Sequence, residues 1–196
     1  LDIPVSIQEI TLVPKEGNRV LKRLDLTKSS YIVLNLFSGS KGRGLSLEHK
    51  IAIVHALLET VGAHTKIILT GGPSDEPIMH DIKEAVPKSF IAPGLSMQDL
   101  ITLVAESMGV VSLDTGVGHI AAQTGVPLVI MRTCWGYNWW NKDQYPRKGI
   151  TVLAHDEICM NGHISKDFPA CLGAISPKEV TAALKKILIP PTLRKV

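Results

Sequence analysis

Short apolar runs alternate along the chain with longer stretches in which apolar residues recur every three or four positions. YIVLNLF (31–37) is a continuous β-rich run, and LEHKIAIVHALLETV (47–61) places Ile51, Val54, Leu57, Leu58 and Val61 at helical spacing. KIILT (66–70) predicts a second strand, closed by Gly71-Gly72-Pro73, and a short helix follows over about 76–86. SFIA (89–92) reads as extended. Ser96-Met97-Gln98-Asp99 is similar to a capping box and opens a helix to about Ser107. Strands over 109–113 and 127–131 flank a helix from about Gly118 to Thr124, and ITVLA (150–154) is a last strand. Ser176-Pro177-Lys178-Glu179 starts a final helix that ends near Leu188, with a serine cap, proline in the first turn and glutamate three positions on.

Alternating strands and helices, with strands that are apolar throughout, predict an α/β fold. The expected form is a Rossmann-like parallel sheet with helices on both faces. Residues 1–30 do not fit the rhythm and read as a leader or interdomain linker. The domain is expected over 31–188, with 189–196 as a tail.

Composition narrows the picture. With 196 residues, 45% hydrophobic, the chain can bury a sizeable single core. Its net charge of +3 carries no long block of one sign, which argues against a nucleic-acid partner. No apolar run reaches the roughly 18 residues that span a bilayer. LDIPVSIQEI lacks the pattern of a signal peptide and has no initiating Met, so a fragment of a longer protein is expected. Cys134, Cys159 and Cys171 are an odd set without CxxC, which suits a reducing cytoplasm. A zinc site would need a fourth ligand such as His163, and CMNGH has the wrong spacing for a finger, so no metal is expected.

In an open parallel sheet, ligands bind beyond the carboxyl ends of the strands. Three turns at that edge are unusual. SGSKGRGLS (38–46) holds three glycines, three serines, Lys41 and Arg43, a composition that lets backbone N–H groups and cations meet an anion. It matches neither a P-loop nor a dinucleotide fingerprint, and a plain surface loop is the alternative. In SLDTGVGH (112–119), Gly116 and Gly118 permit a sharp turn into a helix whose N-terminus attracts anions. Thr115 can donate to a phosphate oxygen, Asp114 can accept from loop N–H groups or a ligand hydroxyl, and His119 can donate to an anion. The helix end lowers the His119 pKa and a bound pyrophosphate raises it. The alternative is an ordinary cap at Asp114 or Thr115 and a satisfied histidine. TGGPSDE (70–76) brings Asp75 or Glu76 to the same edge, where a carboxylate can take ribose hydroxyls or simply start a helix. CWGYNWW (134–140) gathers all three tryptophans in one loop, for stacking on a base or sugar, for packing on another domain, or for folding on itself.

SLDTGVGHIAAQTGVPLV resembles the D-T-G-x-x-H-x-A-A-x-x-G-x-P motif of bacterial heptosyltransferases, glycosyltransferase family 9. LNLFSGSKGRGLS, ILTGGPSDE and GLSMQDLITLVAES are similar to flanking segments of that family, and the resemblance covers about 31–188. It implies the C-terminal, donor-binding half of a two-domain GT-B fold, transferring a sugar from a nucleotide donor such as ADP-heptose to lipopolysaccharide core. Ser38, Ser40, Lys41, Arg43, Glu76 (or Asp75), Asp114, Thr115, Gly116 and His119 would then hold the donor. The catalytic base would lie in the family's N-terminal domain, with the glycan acceptor, so this chain alone would not transfer. No metal or other cofactor is implied, and no D-x-D occurs. The place of work would be the cytoplasm, with peripheral contact at the inner membrane. The sequence departs from the family at Leu45-Ser46, where Trp-Pro is frequent, and at Val117, where proline is frequent. Two further readings are a Rossmann-like nucleotide oxidoreductase domain, weakened by the lack of G-x-G-x-x-G, and a non-catalytic module that docks through its tryptophan loop.

Overall fold

A computed structural model describes residues 12–14, 19–40, 43–62, 64–134, 140, 149–159 and 168–188. Six parallel strands form one sheet: β1 (Tyr31–Asn35), β2 (Lys66–Thr70), β3 (Phe90–Ala92), β4 (Gly109–Leu113), β5 (Leu128–Met131) and β6 (Ile150–Leu153). Their order across the sheet is β3-β2-β1-β4-β5-β6. That is the doubly wound Rossmann arrangement, in which strand order reverses between β1 and β4.

Alternate side chains of each strand enter opposite faces. Ile32, Leu34, Ile67, Leu69, Val111, Leu113, Val129 and Met131 form one core with Ile53, Val54 and Leu57 of α2 (Leu47–Val61), Met79 and Ile82 of α3 (Glu76–Ala85), and Val180 and Leu184 of α7 (Pro177–Leu188). Tyr31, Val33, Ile68, Val110, Leu128 and Ile130 face Leu103 and Val104 of α4 (Met97–Ala105) and Ala121 and Ala122 of α5 (Gly116–Thr124). Both faces are covered, which is why the strands read as unbroken apolar runs. The predicted caps at Ser96 and Ser176 are present, accepting from the N–H of Asp99 and Glu179, and Ser46, which was not predicted as a cap, accepts from that of His49. Among the described residues no helix is long and apolar enough to cross a membrane.

Part of the expected leader belongs to the core. Arg19–Arg23 form a short helix, α1, and Val20, Leu21 and Leu26 are buried beside Tyr31 and Leu103. Ser29 donates its N–H to Glu106 O, and Lys28 pairs with the Glu106 carboxylate at 2.8 Å, so this segment is tied to the end of α4. Its apolar residues are too few and too closely spaced to register as a periodic element. The short α6 (Ala170–Gly173) was likewise not predicted. The 189–196 tail lies outside the described residues.

If the segment belongs to the core, Leu21→Ala lowers unfolding free energy by about 2–5 kcal/mol, the range for a buried leucine. Denaturant unfolding measures this, and a change below about 0.5 kcal/mol, as at an ordinary surface position, contradicts it.

Candidate functional site

After β1 the chain crosses to one face through α2, and after β4 it crosses to the other through α5. The two turns therefore diverge and leave a crevice at the carboxyl edge, where this topology places ligands. A cavity of about 690 Å³ lies there, lined by Ser38, Gly39 and Arg43 from the first turn and Asp114, Thr115, Gly116 and His119 from the second.

Asn35, the last residue of β1, organises the floor. Its Nδ2 donates to Thr70 O at 2.8 Å, and its Oδ1 accepts from Thr115 Oγ1 at 2.8 Å. A carbonyl can only accept, so Thr70 fixes which way the amide faces, and Thr115 must donate. The Thr115 hydroxyl is thus directed to Asn35 and not to a phosphate as expected. It makes no cap bond to α5 either, although Thr115 occupies the cap position. Among the described residues, no side chain accepts from the N–H groups of Gly116, Val117 and Gly118, so the positive end of α5 stays open to a ligand. Asn35 was not singled out by sequence reasoning. A lone buried polar residue in an apolar strand is the signal that marks it.

Asp114, His119 and Trp140 form one cluster. Trp140 Nε1 donates to Asp114 Oδ1 at 2.8 Å, His119 Nε2 lies 3.7 Å from the same oxygen, and the two rings stack at 4.7 Å with an interplanar angle of 16°. The indole N–H holds the carboxylate in one orientation. Burial pushes the His119 pKa below its ordinary value, and the Asp114 charge opposes that shift. Burial, the leading cause, was not part of the sequence-based reasoning. Of the aromatic loop, Trp140 packs into the core; residues 135–139 lie outside the described residues.

The two glycines of this turn differ in role. Neither has a positive φ. A Cβ on Gly116 would meet nothing within 4 Å, whereas one on Gly118 would lie 2.5 Å from Ile130 Cδ1 and 3.3 Å from Leu113 O. Gly118 lets α5 approach β4 and β5 closely; a sharp turn is not its reason.

In the first turn, Ser40 donates its N–H to Ser38 Oγ at 3.3 Å and accepts from Arg43 N at 3.0 Å, closing the loop. Ser40 itself does not line the cavity, and Lys41 lies outside the described residues. Arg43 is exposed and makes no ion pair among the described residues. Lys50 lies beneath the loop: buried, it donates to Leu45 O at 2.5 Å and sits 5.7 Å from the centre of the Phe37 ring. Burial lowers its pKa, with Asp75 and Glu48 opposing. This lysine was not predicted, because its helical spacing reads as part of the polar face of α2.

The third turn does not join the cavity. Asp75 Oδ2 accepts from Gly72 N at 2.8 Å and so closes its own turn. The Glu76 carboxylate lies 3.9 Å from His80 Nε2 on the outer side of α3. Neither lines the cavity.

The glycine pair yields a direct test. Gly116→Ala is expected to raise stability by up to about 1 kcal/mol through helix propensity. Gly118→Ala is expected to cost about 1–3 kcal/mol by overpacking against Ile130. Equal effects in thermal unfolding contradict the assignment.

Residues 49–131 match the model of glycosyltransferase family 9 (heptosyltransferase). No curated protein matches the chain in sequence. Among solved structures, E. coli ADP-heptose lps heptosyltransferase II is similar with a TM-score of 0.75 at 17% identity, over 95% of this chain and 56% of that one. A family 9 glycosyl transferase from Veillonella parvula gives 0.66 at 20% identity, over 87% of this chain and 50% of the other. The E. coli heptosyltransferase WaaC with ADP-2-deoxy-2-fluoro heptose gives 0.61 at 17%, over 81% and 44%. The chain thus spans about half the length of these structures, and the doubly wound sheet is the fold of a GT-B half. The match to the family 9 model falls on the segment that runs from within α2 through β5, which holds the β4–α5 turn of the cavity.

Proposed function

We propose that this chain binds the nucleotide-sugar donor of a heptosyltransferase-like reaction, an ADP-heptose-type donor used to extend lipopolysaccharide core. One observation carries the reading: Arg43 and the open end of α5 meet in one cavity at the strand-order reversal. The first supplies a full charge with no ion-pair partner among the described residues, the second a partial charge and N–H donors.

The chemistry follows from where charge develops. Breaking the bond between the anomeric carbon and its phosphate oxygen leaves negative charge on the diphosphate, and donors already fixed in place stabilise it without reorganising. Arg43, the first-turn N–H groups of α5 and His119 are assigned that task, with Ser38 and Gly39 completing the loop. Asp114 is assigned to a ligand hydroxyl through Oδ2, since Oδ1 is held by Trp140. The cavity is assigned donor binding and not acceptor deprotonation; the acceptor and the base belong to the N-terminal domain that the family resemblance implies.

Calorimetric titration of the full chain with ADP, UDP, GDP and CMP tests the reading. ADP is expected to bind most tightly, and Arg43→Ala to weaken it by about 10-fold or more, as for a lost charge-assisted contact. The pH dependence has a defined sign. In the empty site His119 is neutral at pH 7, because its pKa is depressed. A diphosphate favours the imidazolium, so binding takes up a proton and affinity rises as pH falls from 8 towards 6, by at most about tenfold per unit. The nucleotide titrates too, so the measure is wild type against His119→Gln, in which this component disappears. Absence of binding by all four nucleotides, or identical pH profiles for the two proteins, contradicts the reading.

A further inference from the structure

The three cysteines come from separate parts of the chain and meet at one place. Cys134 follows β5, Cys159 ends the 3-10 turn after β6, and Cys171 lies in α6. Their Sγ atoms all lie within 4.8 Å of one another, and no disulfide joins them. Sequence spacing argued against a metal because the residues do not form a finger motif; the fold brings them together across the sheet edge.

We propose that Cys134, Cys159 and Cys171 bind a zinc ion as three thiolate ligands. In a tetrahedral site with Zn–S bonds of about 2.3 Å, neighbouring sulfurs are ~3.8 Å apart, so a small contraction of the observed cluster suffices. The segments that carry the ligands are fastened independently of any metal. Arg132, two residues before Cys134, makes a two-pronged bond to Asp156, which starts the turn ending in Cys159, at 2.7 Å for each contact. His155 bridges Glu157 at 2.8 Å and Glu179 at 2.9 Å, and Glu179 in turn holds Ser176 beyond α6. Such outer contacts are what orient ligands before a metal arrives. Cys171 is buried, whereas Cys134 and Cys159 are half-buried, so an ion has a route in.

Zinc binding must displace the thiol protons. Burial, together with the neighbouring thiols, pushes Cys134 up to about 12, and burial raises Cys171. Without a cation the cluster therefore holds its protons. A divalent ion replaces them, each S–H giving its proton to solvent as an S–Zn bond forms, so zinc affinity falls as pH falls. The ion would clamp the loops beyond β5 and β6 at the same edge as the cavity.

The test uses the full chain, purified under reducing conditions, loaded with zinc sulfate and desalted. Elemental analysis is expected to give one zinc per chain, with a higher melting temperature than the chelator-treated protein. Cobalt substitution is expected to give the thiolate-to-cobalt charge-transfer bands of a tetrahedral site. Cys134→Ser and Cys159→Ser, at the two less buried positions, should each weaken zinc binding by more than about tenfold while circular dichroism stays native. Substoichiometric zinc after loading, a melting temperature indifferent to the metal, or variants that bind like wild type would overturn the proposal. So would a native mass two hydrogens short, which means a disulfide.

Discussion

The Asn35 amide bridges the carboxyl ends of β2, β1 and β4, donating to Thr70 O and accepting from Thr115 Oγ1. Buried where water cannot substitute, it has one orientation that satisfies both neighbours, since the reverse would set an NH2 against a hydroxyl donor and an oxygen against a carbonyl. That single constraint takes the Thr115 hydroxyl away from the helix it would otherwise cap. The N–H groups of α5 then remain for a ligand, in a crevice that the strand order has already opened. Local chemistry and topology converge on the same few ångströms.

Charge is arranged around that opening in two parts. Arg43 on an exposed loop is a full cation, and the Asp114 carboxylate opposite it would repel a diphosphate if left bare. Trp140 and His119 moderate it: the indole N–H takes one oxygen, and the imidazole lies flat on the indole within reach of the same atom. Gly118 makes this possible, because a side chain there would push α5 away from Ile130 and crowd the Trp140 ring. The carboxylate is thereby held in one orientation, which suits the hydroxyl recognition proposed for it beside the proposed anion site.

Most of the fold was legible in the sequence, because strands buried on both faces appear as unbroken apolar runs and helices between them keep a period of 3.6. YIVLNLF and KIILT identified β1 and β2, and Ser176-Pro177-Lys178-Glu179 marked the start of α7. The segment around Val20 and Leu21 was not legible, since one turn of helix has no period to detect. In the site, Asp114, Thr115, Gly116, His119, Ser38 and Arg43 were readable as turn residues at the strand ends, and they share one cavity. What sequence could not supply was pairing. It did not show that Thr115 answers to Asn35, that Asp75 serves its own turn, or that three scattered cysteines converge, because each depends on strand order rather than on spacing along the chain.

The central claim is that the uncapped end of α5 and the Arg43 loop together hold a diphosphate. Backbone amide chemical shifts, followed by NMR while ADP is added to the full chain, test it at the atoms concerned. The account predicts the largest and saturable shifts at Gly116, Val117, Gly118 and His119, with matching shifts at Gly39 and Arg43. Shifts confined to other parts of the sheet edge, such as the turn at Asp75 and Glu76, with the α5 amides unmoved, would contradict it.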